Sequence, residues 1–223
     1  TENTALVGAP FQNQSGGDSG AVYVYQRNDA GTPNDPLDDT WPQADLLEAS
    51  NPGAGDLFGR SMAIEGDLLV VGASLREVGG VSTGAALVFE RQAGVWTQTA
   101  ELSAADGEAQ DEFGICVAVE GDRILVGARF DDDGGVDAGA MYVFERSSGV
   151  FSVWVETLKF VASDAADGAN LGSEMAIELD GDTAIIGSRF SPVLGFLTGE
   201  AYIVDLGGCL GEDYCLANAN STG

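Results

Sequence analysis

A short aspartate-rich loop contains the residues whose types and spacing best fit metal binding. Asp131, Asp132 and Asp133 are consecutive, two glycines follow, and Asp137 closes the loop. Hard cations such as Ca²⁺ bind six to eight oxygen atoms, and carboxylates placed around glycines in a tight turn supply several of them. The loop is therefore interpreted either as a calcium site formed by Asp131, Asp133 and Asp137 or as a solvated acidic loop, which charge runs usually are.

A second and weaker calcium candidate lies in a proline-containing insertion near the start of the chain. The candidate ligands of this insertion are Asp29, Asp35, Asp38 and Asp39.

The sequence offers few of the residue combinations that enzymes use for catalysis. The sequence contains no histidine, which excludes a Ser-His-Asp or Cys-His arrangement and any imidazole metal ligand. Thirty-six acidic residues would allow a carboxylate pair of the glycosidase type, but no pair is singled out by its spacing. The sequence therefore predicts a protein that is not an enzyme.

The three cysteines fall into two groups. Cys209 and Cys215 lie close together in a glycine-rich tail and are interpreted as a disulfide pair, with free thiols as the alternative. Cys116 lies within an alternating apolar segment, where a small buried residue is expected.

The charge of the chain excludes two classes of partner. Its net charge of -27 would repel nucleic-acid phosphates and anionic lipid surfaces. No apolar run approaches the roughly 18 residues that a membrane span requires. The acidity suits an extracellular medium, or it attracts cations. The sequence opens with Thr1 inside a motif, so we expect a preceding segment to have been removed.

The elements that carry these residues belong to a repeat of about 55 residues. The reference copy runs from Asp56 to Gln110, and its pattern of apolar, glycine and acidic positions begins again at Asp111. Four landmarks recur in register, namely a triplet such as Val-Gly-Ala, a glycine opening the next apolar run, a Phe-Gly pair, and a tryptophan. They are Val7–Ala9, Val71–Ala73, Val126–Ala128 and Ile186–Ser188; Gly20, Gly84, Gly139 and Gly199; Phe58-Gly59 and Phe113-Gly114, with Leu171-Gly172 as a weaker third copy; and Trp41, Trp96 and Trp154.

Each repeat is predicted to form short β-strands, because apolar residues alternate and helical periodicity is absent. In the first strand of the third unit, large residues face one side (Phe113, Ile115, Val117, Val119) and small ones the other (Gly114, Cys116, Ala118). Such strands suit sheets that pack face to face. Four antiparallel strands per unit therefore predict an all-β fold of the β-propeller type, with a β-sandwich as runner-up. The tryptophans are expected in the core or between blades rather than on a carbohydrate-binding platform.

These landmarks resemble those of a known family. Phe58-Gly59 followed by Val71–Ala73, and Phe113-Gly114 followed by Val126–Ala128, resemble FG-GAP repeats, which form the propeller of integrin α-subunit heads and occur in many secreted bacterial proteins. The resemblance covers residues 1 to about 206 and implies a propeller fold and an extracellular location. The turn Glu65-Gly66-Asp67 is too short to carry the calcium loops of integrin propellers, so those sites do not transfer.

The predicted organisation is a partial unit 1–55, units 56–110 and 111–169, a partial unit 170–206, and a tail or linker 207–223. The incomplete first and last units predict a propeller that is unfinished or completed by a partner. The predicted function is a noncatalytic extracellular adhesion or ligand-binding module for a protein or glycan. The alternative is a structural subunit that associates with copies of itself in a fibre or surface layer.

Overall fold

The computed structural model describes residues 3–29, 31, 37–148, 152–173, 176–190 and 199–207. Regular secondary structure in these ranges consists of β-strands alone, arranged as four antiparallel sheets and one small hairpin. Strands within each sheet follow the order of the chain. The predicted all-β fold with four-stranded antiparallel blades is confirmed, and the sheets do not close into a ring.

The four sheets follow one another along the chain. The first contains β1 (Thr4–Ala9), β2 (Ala21–Gln26) and β3 (Gln43–Leu47). The second contains β4 (Ser61–Glu65), β5 (Leu68–Ala73), β8 (Ala85–Gln92) and β9 (Val95–Leu102), with the hairpin β6 (Glu77–Val78) and β7 (Val81–Ser82) between β5 and β8. The third contains β10 (Phe113–Glu120), β11 (Arg123–Ala128), β12 (Ala140–Arg146) and β13 (Trp154–Phe160). The fourth contains β14 (Ile177–Asp180), β15 (Thr183–Ser188) and β16 (Glu200–Asp205).

The prediction of short β-strands in every repeat is confirmed, and the hairpin β6–β7 was not predicted. Within the described residues, the first sheet has no strand equivalent to β4, and the fourth has none equivalent to β9. Unpaired strand edges therefore remain at β1 and at β16.

Glycines at the junctions between sheets explain the recurring Phe-Gly landmark. Gly84, immediately before β8, forms a parallel bridge with Phe113 of the following sheet. A Cβ atom at Gly84 would lie 2.2 Å from the carbonyl oxygen of Phe113, and one at Gly72 would lie 1.9 Å from that of Gly114. Each Phe-Gly pair thus packs on glycines of the preceding unit, where no side chain fits. Equivalent bridges join Gly20 to Phe58 and Gly139 to Leu171.

The hydrophobic core lies between successive sheets rather than within one layer. Three buried clusters fill the spaces between the first and second, second and third, and third and fourth sheets. The side chains that meet at the second and third sheets include Val70, Val88, Val126 and Tyr142. Those that meet at the third and fourth sheets include Leu125, Val143, Ile186 and Tyr202.

The predicted alternation of β10 is wrong at one position. Phe113 and Val117 pack toward the second sheet and Cys116 packs toward the fourth, as expected. Ile115, however, lies in the same cluster as Cys116. The pairing register shifts between Phe113 and Cys116. A β-bulge inserts an extra residue and turns the following side chain to the other face of the sheet, which accounts for the new position of Ile115.

Short turns connect the first two strands of each unit and link neighbouring units. The Glu65 carboxylate accepts a hydrogen bond from the Gly121 backbone N–H of the next unit. Glu120 accepts the equivalent bond from Gly181 at 2.6 Å. An acidic residue at this turn therefore satisfies a backbone donor of the following unit, which contributes to the order of the blades.

The tryptophans illustrate how the sheets cover one another. Trp96 and Trp154 pack on the cores, as predicted, and the guanidinium groups of Arg91 and Arg146 lie 5.0 Å and 4.6 Å from their ring centroids. Trp41 is 41% exposed, so the prediction of packing is wrong for this residue. The reason is its place in the first sheet, since the described part of the chain contains no earlier sheet to cover it.

Candidate functional site

The predicted calcium ligands lie in the loop between β11 and β12 but differ in environment. Asp131 is buried, whereas Asp133 and Asp137 are exposed. Asp137 adopts a left-handed conformation with φ of 53°, and its carbonyl oxygen accepts a hydrogen bond from the Asn170 side chain. The loop therefore holds one carboxylate inside the protein and directs two toward solvent.

A lysine from the outer strand of the same sheet supplies the cation at this loop. Lys159 Nζ lies 2.8 Å from Asp131 Oδ2, 2.5 Å from Asp133 Oδ2 and 2.8 Å from Asp106 Oδ2. Burial opposes the charge of Lys159, but hydrogen bonds to these carboxylates outweigh it and raise the lysine pKa above its usual value. Lys159 is the only lysine of the chain.

Tyr142 completes this cluster from the adjacent strand β12. Its hydroxyl lies 2.7 Å from Asp131 Oδ2 and 2.8 Å from Asp106 Oδ1. Burial and these two carboxylates raise the pKa of Tyr142 far above its usual value, so the hydroxyl remains a donor. Burial tends to raise the pKa of Asp106, but hydrogen bonds from Lys159 and Tyr142 prevail and lower it.

Asp111 lies behind this cluster, two positions before Phe113 of the junction. Burial is the main cause that raises its pKa, to about 6, and the nearby charge of Asp131 adds to the effect. A hydrogen bond of 2.6 Å from the backbone N–H of Glu108 acts in the opposite direction. Asp111 is thus a carboxylate that is costly to ionise near neutral pH.

The second unit contains the same cluster with its charges exchanged. Arg76 and Asp131 occupy equivalent positions three residues after β5 and β11, and Glu101 and Lys159 face them from the outer strands. Arg76 Nη1 lies 2.5 Å from Asp56 Oδ2, and its Nε lies 3.0 Å from Glu101 Oε1. In both clusters a basic group already pairs with a buried acid, Asp56 in the second unit and Asp131 in the third.

Metal coordination is therefore a prediction that the structure leaves open. Among the residues that the structure describes, no three His, Cys, Asp or Glu side chains are grouped so that they could hold a metal ion. In the weaker candidate, Asp39 pairs with Arg27 at 2.7 Å, and Asp35 lies outside the described residues. The Cys209–Cys215 pair also lies outside them, and Cys116 is buried as expected.

Sequence reasoning missed Lys159 and Tyr142, which reach the acidic loop from the strands β13 and β12 that follow it. Lys159 occupies the position in the third unit that Glu101 occupies in the second, and this correspondence would have identified it. Aligning the second and third units places Arg76 with Asp131 and Glu101 with Lys159. Each position therefore holds a basic residue in one unit and an acidic residue in the other.

One side of the sheets carries the long loops that join β1 to β2, β5 to β8 and β11 to β12, and we call this side the loop face. An apolar residue recurs there two positions after the second strand of each unit: Phe11, Leu75, Phe130 and Phe190. Backbone N–H groups of the last three donate to carbonyl oxygens that precede the inner strand of the same sheet, those of Asp56, Asp111 and Ala169. Phe11 is 63% exposed and Leu75 is 37% exposed.

The loop face is also acidic. Exposed carboxylates lie in the same loops as the recurring apolar side chains: Asp18, Glu77, Asp132, Asp133 and Asp137. Arg129 and Arg189 stack on their neighbours Phe130 and Phe190, with the guanidinium carbons 4.5 Å and 4.8 Å from the ring centroids. The face therefore combines apolar contact area with an excess of negative charge.

A groove runs along the inner strands β4, β10 and β14. Most of its lining residues have apolar side chains, among them Met62, Ile115, Cys116 and Ile177. Glu178 is the single carboxylate among its lining residues. The groove therefore lacks the pair of carboxylates that glycoside hydrolysis requires.

Comparison with known families agrees with this geometry. The chain is similar to the FG-GAP repeat family over residues 41–89, 96–144 and 154–204, which is more than half of its length. Each match begins at one of the three tryptophans and ends in the third strand of the next unit, so it spans a junction between blades. No curated protein sequence matches the chain. Within the described residues there is no helix of the length and apolarity needed to cross a membrane.

Proposed function

Because this chain belongs to the FG-GAP repeat family, we propose that it is a noncatalytic extracellular module that binds a ligand through its loop face. FG-GAP repeats are generally found in adhesion or ligand-binding modules, are generally noncatalytic, and are typical of extracellular proteins. We assign the chain to the secreted, integrin-like type of these propellers, which its acidic composition favours.

The observation that carries this proposal is the recurrence of an apolar residue among carboxylates on one face, exposed at Phe11 and Leu75 and half-buried at Phe130 and Phe190. Rigid sheets position the loops, and binding residues are concentrated on loops that a scaffold holds in place. Phe11, at the open end of this row, is the most exposed aromatic residue of the described chain. Aromatic residues, phenylalanine included, are enriched at protein interfaces relative to the rest of the protein surface.

The charge of the loop face indicates what kind of ligand it would bind. Its carboxylates repel acidic surfaces and attract basic ones, and a net charge of -27 extends this attraction over the protein surface. We propose a protein segment that carries both basic and apolar residues as the ligand. A neutral glycan stacked on the aromatic residues is the competing ligand class.

The experiment compares the parent protein with a double variant, Phe11→Ser and Leu75→Ser, on arrays of extracellular proteins and of glycans. Val153→Ser is the control, because Val153 is similarly exposed but lies before β13, away from the loop face. Binding to basic proteins should fall at least about tenfold in the double variant and remain in the control. Equal binding by all three proteins would refute the proposed surface, and glycan binding alone would refute the ligand class.

A structural subunit that associates with itself is the second candidate function. The specific observation in its favour is that the first and fourth sheets each expose an apolar face.

A further inference from the structure

Two exposed valines occupy the same position in the loops of the second and third units. The loops 74–84 and 129–139 have equal length, and Val81 and Val136 are the eighth residues after β5 and β11. Their side chains are 42% and 62% exposed, and neither belongs to the buried clusters between the sheets. The second and third sheets each have a described sheet on either side. The exposure of these valines is therefore a property of the loops themselves.

The backbone beside each valine is held by the segment that leads to the next sheet. Val136 N–H donates to Asp167 Oδ1 at 3.0 Å, and its carbonyl oxygen accepts from Gly168 N–H at 2.7 Å. In the second unit, the carbonyl oxygen of Ser82 accepts from Gln110 N–H at 2.8 Å. These hydrogen bonds hold the loops in place before a ligand binds, which lowers the entropy that binding costs.

The charge around the two valines is negative. Among the residues that the structure describes, three exposed carboxylates of these loops take part in no ion pair: Glu77, Asp132 and Asp137. The arginines of the same loops pair with other acids, Arg76 with Asp56 and Arg129 with Glu112. We call the two valines and these three carboxylates the tip surface, which thus combines apolar contacts with negative charge that the protein does not neutralise.

We propose that the tip surface binds an extended segment of a protein ligand, in which apolar residues contact Val81 and Val136 and basic residues lie between them. This inference rests on the function proposed above and specifies the ligand of the loop face. The carboxylates attract basic residues and repel acidic ones. The valines add apolar area at two points, one on each of two neighbouring sheets.

The spacing of the sheets selects the conformation of this segment. Sheets that pack face to face lie about 10 Å apart, so the valines present apolar contacts at about this interval. A polyproline II segment presents the same side at every third residue, about 9 Å along its axis. A β-strand does so at about 7 Å, which is too short. An α-helix matches with residues seven apart, but it also buries apolar residues three and four positions along, where the tip surface has carboxylates.

Two synthetic peptides of the same composition test this spacing. The first repeats Leu-Lys-Pro four times, which places leucine at every third position, and the second contains the same residues with leucine at every second position. In fluorescence anisotropy titrations, the parent protein should bind the first at least about tenfold more tightly. Equal affinities would overturn the proposal, because charge alone would then explain binding. Tighter binding of an amphipathic helical peptide of the same charge would overturn the extended conformation.

Substitution of the valines identifies the surface. The double variant Val81→Ser, Val136→Ser should bind the two peptides with equal affinity, because it lacks the apolar contacts that distinguish them. Val153→Ser is the control, since Val153 is 54% exposed and lies before β13, and it should keep the preference of the parent. A double variant that also keeps this preference would overturn the assignment.

Substitution of the carboxylates separates attraction by the tip surface from attraction by the whole protein. Asp132→Asn with Asp137→Asn should weaken binding of both peptides by a similar factor and leave the preference between them. The control pair, Glu178→Gln with Asp180→Asn, removes two exposed carboxylates from β14 and should weaken binding less. Equal losses in the two double variants would overturn the location, because net charge alone would then attract the peptides.

Failure of this inference can be told apart from failure of the proposed function. If the parent protein binds basic proteins on the arrays but does not distinguish the two peptides, the loop face remains the proposed binding surface and the tip contact is wrong. If the parent protein binds neither the arrayed proteins nor the peptides, both proposals fail.

Discussion

The ammonium of Lys159 lies 2.8 Å from the buried carboxylate of Asp131, at the two positions where the second unit has Glu101 and Arg76. Adjacent blades thus have an ion pair at the same two positions, with the acidic and basic partners exchanged. In the second unit the arginine also reaches Asp56, whereas in the third unit the equivalent Asp111 faces another acid, Asp131. The reversal gives the two clusters opposite electrostatic properties.

Replacing Lys159 by Met should destabilise the protein by about 3 kcal/mol, because Asp131 would remain buried without its cation. The matched test is the double variant Asp131→Arg with Lys159→Glu, which copies the arrangement of the second unit. It should recover a substantial part of the loss, since the new guanidinium would also lie near Asp111. Urea unfolding of the parent, the single variant and the double variant measures both effects. No recovery in the double variant would contradict the equivalence of the two clusters.

Substitution of the two equivalent aspartates should change stability in opposite directions. Asp56→Asn removes the charge that pairs with Arg76 and should cost about 2 to 3 kcal/mol at pH 7.5. Asp111→Asn removes a carboxylate whose burial raises its pKa to about 6, and the amide oxygen can still accept from Glu108 N–H. It should therefore stabilise the protein at pH 7.5 by about 1 to 2 kcal/mol.

The pH dependence of stability tests whether the pKa of Asp111 is raised. A raised pKa means that the folded protein holds the Asp111 proton more tightly than the unfolded chain. Stability is therefore lost as pH rises from the ordinary aspartate pKa of 3.8 to about 6, and the loss is complete above that range. Asp111→Asn should have little effect at pH 4 and should flatten this part of the curve. A stability difference that is the same at pH 4 and pH 7.5 would argue against the assignment.

The repeat predicted most of the fold because its landmarks are local. Alternating apolar residues predicted short β-strands in every repeat, and the constant spacing of the landmarks predicted that these strands form successive units. The displacement of Ile115 could not be predicted, since a bulge depends on the contact of Gly114 with the preceding sheet. The packing of Trp41 was mispredicted because a constant place in the repeat buries a side chain only where a neighbouring sheet covers it.

The candidate site was predicted less well because its partners are distant in sequence. The acidic loop was recognised from composition, but composition does not show which carboxylates are neutralised within the protein. Lys159 reaches Asp133 across 26 residues and Asp106 across 53. Recognition of that contact required the pairing of β12 with β13, which places Lys159 opposite Tyr142.

Calcium binding can be tested directly with these contacts in view. The Lys159 ammonium already neutralises Asp131 and Asp133, and Ca²⁺ would have to displace it. We therefore expect the same melting temperature in millimolar CaCl₂ and in EDTA. A higher melting temperature in CaCl₂ that is lost in Asp133→Asn would instead establish the site predicted from the sequence. Asp67→Asn, at an exposed turn of the second unit, is the control for general charge effects.

The junction glycines provide the sharpest test of how the blades are joined. Gly84 and Gly94 both have positive φ, 90° and 83°, so alanine costs backbone strain at either position. A Cβ atom at Gly94 meets open space, whereas one at Gly84 would lie 2.2 Å from the Phe113 carbonyl oxygen of the next sheet. Gly94→Ala should therefore cost about 1 kcal/mol, and Gly84→Ala about 4 kcal/mol or more. Urea unfolding measures the difference, and equal losses would show that the close approach of the two sheets does not require glycine.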